Sequence, residues 1–192
     1  GALYRILAFA ADQREIDFSD TNALEALAVQ LKVSFQPDET ISGARVLLEG
    51  VDVSRQIRTE SCGNNASKVA ALPGVRAALL ERQRAFRETP GLVADGRDMG
   101  TEVFTDAPLK IFLTASAEER AKRRHKQLKD KGFDVSLRAL FDDIQKRDQR
   151  DASRSASPLL PAADAILLDS TKLSIEKVFE EVMAEARERA LA

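Results

Sequence analysis

Leu3, Ile6, Leu7 and Ala10 recur at three- and four-residue spacing in the opening run, which predicts a helix already under way at Gly1. A second helical pattern spans Thr21 to Leu31, with Asp20 as N-cap and Leu24, Leu27, Ala28 and Leu31 on its buried face. The period then shortens. Val33 to Phe35, Arg45 to Glu49 and Val51 to Val53 are short β-branched or apolar runs broken by a Pro/Asp/Glu-rich turn and by Gly43 and Gly50, so a small β insertion is predicted. Helical spacing resumes from Glu60, first across Asn64 to Val69, then from Val75 to Arg87, with Pro73 in the first turn and Pro90-Gly91 as the stop.

Three apolar runs follow: Leu92-Val93-Ala94, Leu109 to Leu113 and Ala165 to Leu168. Helical stretches at Ala117 to Lys131 and Leu137 to Arg150 separate the last two, and Ser174 to Arg189 closes the chain. Strands alternating with helices predict a parallel sheet in an α/β fold, whose ligands sit beyond the carboxyl ends of the strands.

The 192 residues, 44% hydrophobic and 31% charged, suit one main core with room for an insertion. The 29 basic and 31 acidic residues nearly cancel, which argues against a nucleic-acid or membrane-surface binder and makes any anion site a local cluster. Cys62 is the only cysteine, so neither an internal disulfide nor a thiolate metal cluster is available, as suits a reducing cytoplasm. No stretch approaches the roughly 20 apolar residues of a membrane span.

Candidate chemistry concentrates in two segments. Asp95-Gly96-Arg97-Asp98-Met99-Gly100-Thr101 follows the predicted strand Leu92-Val93-Ala94, so a buried strand delivers two carboxylates and a guanidinium to one crevice. Buried charges need partners, which fits a binding site; an Arg97–Asp98 pair shaping a glycine turn fits as well. In the second segment Arg147, Asp151 and Arg154 stand at i, i+4 and i+7 and share a helical face, either as a charged grip on a ligand or as a solvated face. Arg5, Arg76, Arg97, Arg147 and Arg154 are arginines where lysine would serve solubility, and the planar fork suits bidentate grip on phosphate. The run from Arg120 to Lys126 is either a nucleic-acid patch or the mouth of a nucleotide phosphate site, and His125 within it is expected to be a surface residue.

Ala2-Leu3-Tyr4-Arg5, Asn65 to Ala70, Arg82 to Arg87, Ala94 to Thr101 and Arg147-Asp148-x-Arg150-Asp151-x-x-Arg154 occur in the order seen in bacterial cytidylate kinases, and the chain resembles that family from Gly1 to the last helix. The insertion near residues 33 to 58 resembles the extra piece of the nucleotide-monophosphate-binding region in the bacterial enzymes. The resemblance implies a P-loop NTPase-type parallel sheet flanked by helices, with a core of residues 1–19 and 68–192, a lid near 147–157, and a monophosphate-binding region at 20–67. It implies transfer of the ATP γ-phosphoryl to CMP or dCMP with Mg2+, by a cytoplasmic protein, monomeric at full length. Arg5 and Arg97 would hold the acceptor phosphate. Ser67, Arg76, Asp98 and Arg154 would surround cytosine, while Arg147 and Asp151 reach the ribose. Arg120 and Arg124 would face ATP, with Arg123 there or a solvated charge, and Asp95 would help place the magnesium ion or else cap its turn. Ser67 by itself reads as a polar helix residue.

No G-x-x-x-x-G-K-[ST] loop occurs in the 192 residues. The family pattern puts that loop and a first strand ahead of the Tyr4-Arg5 helix, so the expectation is that both are missing and that the chain as it stands binds CMP weakly with negligible kinase activity. The rival classes are a non-catalytic nucleotide-binding fragment and a single-strand nucleic-acid binder.

Overall fold

A computed structural model describes residues 1–37, 44–130, 132, 134–153 and 157–191. The chain forms two compact units, Gly1–Arg97 and Asp98–Ser153 with the residues from Ser157 onward.

In the first unit, α1 (Ala2–Gln13) buries Leu3, Ile6, Leu7 and Ala10 as its stripe predicts, with Tyr4, Ala8 and Ala11 beside them. In α2 (Thr21–Gln30) the Asp20 carboxylate accepts from the Ala23 N–H at 3.0 Å, and Leu24, Leu27, Ala28 and Leu31 are buried. The cap supplies an acceptor to a donor that has no intrahelical partner. α3 (Glu60–Val69) begins at its own cap, Thr59, and α4 (Pro73–Arg84) at Pro73, whose missing N–H costs nothing in a first turn. α1 packs on α3 and α2 on α4. Ile6, Leu7, Leu24, Val69, Val75 and Leu79 are the largest fully buried side chains, each contributing about 1.5–3 kcal/mol of transfer free energy.

The predicted β insertion is a three-stranded antiparallel sheet, β1 (Val33–Pro37), β2 (Ala44–Leu48) and β3 (Val51–Asp52). Leu48 pairs with Val51, so Glu49 and Gly50 form a two-residue hairpin with φ of 51° and 85°. Both angles are left-handed, which matches the strand twist and favours Gly at the second position. Ser54 Oγ accepts from Val46 N at 2.8 Å and ties the end of the hairpin back to its middle strand. α4 stops at Arg84, short of the predicted Arg87. Phe86 leaves the helix and meets the Phe35 ring edge-on, centroids 5.5 Å apart.

In the second unit, β4 (Ile111–Thr114) and β5 (Ile166–Asp169) pair in parallel, with Ile111 opposite Ile166. α5 (Ala117–Asp130) and α6 (Leu137–Ser153) pack together, and α7 (Ile175–Glu188) follows β5 with none of its residues buried. The architecture is mixed α/β, as the alternation predicts. The expected strand at Leu92-Val93-Ala94 is not formed: the run is coil, Val93 is fully exposed, and no neighbouring strand pairs with it among the described residues. An apolar run becomes a strand only where a neighbour takes up its backbone groups. Among the described residues no helix is long and apolar enough to cross a membrane.

Candidate functional site

Arg5, Ser67 and Arg76 belong to the helical part of the first unit. Arg5 projects from α1, and its Nη1 donates to the carbonyl oxygens of Ile57 at 2.8 Å and Thr59 at 3.0 Å. The Ile57 carbonyl lies in the 3-10 turn Gln56–Arg58, and the Thr59 carbonyl, at the cap of α3, also accepts from Gly63 N at 3.1 Å. A Cβ built on Gly63, the fourth residue of α3, would come within 2.7 Å of Arg5 Nη2, so the guanidinium lies flat against that helix. Arg76 in α4 stacks its guanidinium 5.8 Å from the Tyr4 ring centre and donates to Ala70 O at 3.3 Å. Ser67 is buried on α3, although its type and position read as an ordinary helix surface residue.

Cys62, one position before Gly63, is buried, and its Sγ–H donates to Arg5 O at 3.3 Å. Burial pushes its thiol up, while the Arg5 charge pulls in the opposite direction. The protonated thiol is a structural donor, in line with the inert role expected of a lone buried cysteine.

Asp95 and Arg97 lie on the loop that replaces the predicted strand. Asp95 is exposed and Arg97 half-buried, so a buried strand does not deliver this cluster to a crevice. In the second unit Asp98 is buried at 5% exposure and opens a π-helical turn, Met99–Val103, in which its carbonyl accepts from Glu102 N at 2.9 Å. Single π turns recur at functional positions because they re-aim a side chain.

α6 presents Arg147 and Asp151 on one face as the i, i+4 spacing predicts, with Nε and Oδ2 3.9 Å apart and the carboxylate almost fully buried. Arg154, the third member of that face, lies outside the described residues. Arg120 on α5 forks onto Asp148 of α6, Nη1 to Oδ1 at 3.0 Å and Nη2 to Oδ2 at 2.5 Å, while its Nε donates to Ala115 O. Arg124, one turn on, donates to Gln127 at 3.3 Å. Arg123 is exposed, its side chain at 42%, and is also held by the protein. It donates to Ser170 Oγ and to Ser170 O, 3.1 and 2.6 Å away, just beyond the carboxyl end of β5.

Sequence reading missed Asp148 and Ser170 as partners. Each is separated from its arginine by 28 and 47 positions respectively, and no local spacing connects them. It also missed a cavity of about 430 Å³ in the second unit, lined in part by Gly100, Thr101, Thr105, Lys110, Pro161 and Asp164. Lys110 Nζ holds Asp164 at 2.7 Å, and this hydrogen bond is the main reason the Asp164 carboxyl lies below the usual carboxylate range. Gly100 and Thr101 bring the end of the Asp95–Thr101 segment to that cavity, but none of the charged residues or Ser67 singled out from the sequence lines it.

A family model described as cytidylate kinase matches residues 1–188. A protein named cytidylate kinase from Pseudomonas putida is 60% identical over 191 residues, an alignment covering 100% of this chain and 84% of that protein. The protein of the same name from Pseudomonas syringae pv. syringae is 60% identical over 192 residues with the same coverage, and one from Pseudomonas aeruginosa is 61% identical over 183 residues, covering 95% and 80%. Matched along nearly its whole length both to the family model and to these relatives, the chain belongs to the cytidylate kinase family.

Proposed function

We propose that these residues form the acceptor side of an enzyme that transfers the γ-phosphoryl of ATP to CMP or dCMP, giving CDP or dCDP and ADP. The observation that carries this reading is the match of residues 1–188 to the cytidylate kinase family. A phosphate oxygen of CMP attacks the γ-phosphorus in line, and the bond from that phosphorus to the β-bridging oxygen breaks. With a second phosphate pKa near 6 the acceptor is already largely dianionic at neutral pH, so no general base is required. The protein supplies position and positive charge.

Arg5 and Arg97 hold the acceptor phosphate. Ser67, Arg76, Asp98 and Arg154 read the cytosine edge, and Arg147 with Asp151 holds the ribose, Asp151 accepting from the 2′-hydroxyl. Ser67, Asp98 and Asp151 are a hydroxyl and two carboxylates in buried positions, the residue types these roles call for. Cytosine offers an exocyclic amino donor to a carboxylate, whereas uracil turns a carbonyl toward it, so Asp98 selects cytosine.

Arg120 and Arg124 serve ATP. Mg2+ bound with the ATP phosphates would supply positive charge to the transferring group, and Asp95 would help hold it. Asp95, an exposed carboxylate, would meet an ion that keeps several of its waters. The sheet of the second unit belongs to a P-loop-type core of residues 1–19 and 68–192 with a lid near 147–157. Residues 20–67 are the monophosphate-binding region. The protein works in the cytoplasm as a monomer at full length, on free nucleotides rather than on nucleic acid or membrane.

Binding tests this reading without the donor loop, for which no G-x-x-x-x-G-K-[ST] motif occurs in the 192 residues. Calorimetric titration should show CMP binding in preference to UMP and AMP, falling about tenfold or more in Asp98→Ala. Equal indifference of a folded chain to all three nucleotides would refute it.

A further inference from the structure

Gly63 occupies an interior position of α3, its N–H donating to Thr59 O at 3.1 Å. Glycine weakens a helix relative to alanine, because it orders more backbone freedom and covers less of the backbone. Its backbone here is helical, with no left-handed φ to require glycine. The space above it explains the choice: a Cβ would stand 2.7 Å from Arg5 Nη2 and 3.1 Å from both Cζ and Nη1. The same guanidinium is held through Nη1 by the carbonyls of Ile57 and Thr59.

We propose that Gly63 is a positioning residue for the acceptor phosphate, setting the height at which the Arg5 fork lies on α3. The inference rests on the assignment of Arg5 to the CMP phosphate. The Ile57 and Thr59 carbonyls fix the fork laterally through Nη1, and the missing side chain lets it lie flat. A methyl group at position 63 lifts the flexible end of Arg5 off the helix, a small displacement that fold stability tolerates. A bidentate grip does not tolerate it, because both N–H groups must meet phosphate oxygens together.

The two roles predict different outcomes for Gly63→Ala. Better helix propensity leaves the melting temperature unchanged or raises it by up to about 2–4 °C. Affinity for CMP falls by about tenfold or more, while affinity for cytidine, which lacks the phosphate, stays as it was. Calorimetry of CMP and cytidine on the whole chain, its Gly63→Ala variant and its Arg5→Ala variant reads this directly. Collapse of the CMP-over-cytidine preference in both variants is the expected result. Collapse in Arg5→Ala with full preference kept in Gly63→Ala overturns the positioning role and leaves the phosphate assignment standing. Preference retained in Arg5→Ala overturns the assignment and the inference with it.

Discussion

The fork from Arg120 to Asp148 joins α5 to α6 and so fixes the helix that carries Arg147 and Asp151. Two unit charges about 4 Å apart attract by about 4 kcal/mol at an effective dielectric of about 20. The side chains are 36% and 32% exposed, so solvent screening and the ordering of a long arginine remove much of that. Parallel N–H···O bonds return part of it, and a coupling of about 1–2 kcal/mol is expected. The single variants should be unequal: Arg120→Ala also loses the bond from Nε to Ala115 O at 3.0 Å, which Asp148→Ala leaves in place. A double-mutant cycle in urea denaturation measures the coupling, and repeating it between about 0.05 and 0.5 M salt should reduce it. A coupling below about 0.3 kcal/mol at low salt would refute the view that this pair anchors α6.

Arg82 reaches from α4 to the end of α2, its guanidinium donating to Leu31 O and, at 3.3 Å, to Val29 O. α2 has no basic residue in its own last turn, so Arg82→Ala should cost about 1–2 kcal/mol and speed hydrogen exchange there, whereas Arg82→Lys should recover part of the loss. Unchanged exchange in the alanine variant would show that water replaces the fork at no cost. For Cys62, burial raises the folded-state pKa above the unfolded value of about 8.5, so the stability it adds is complete below that value and is lost as pH rises through the folded one. Cys62→Ala should flatten the decline of stability above about pH 9, and rapid labelling of the native thiol at pH 7 would contradict its burial.

Most of the elements were legible because their signals are local. The stripes of α1 and α2, the Asp20 cap, Pro73 at the start of α4 and the break at Gly50 each depend on single residues or on residues no more than four positions from the next. Leu92-Val93-Ala94 shows the limit of such signals, since its sequence is that of a buried strand while its structure is exposed coil. Composition describes what a strand prefers, and only a paired neighbour makes one.

The candidate site divides in the same way. Sequence by itself determined the arginine-rich motifs, their order along the chain and the i, i+4 pairing of Arg147 with Asp151, because periodicity puts those side chains on one face. Tertiary structure decided what each charge touches: Arg120 on Asp148, Arg123 on Ser170, Arg82 on the end of α2, and Arg5 on the bare backbone of Gly63. These partners lie 28 to 58 positions apart, and what brings them into contact is the packing of whole elements on buried apolar faces.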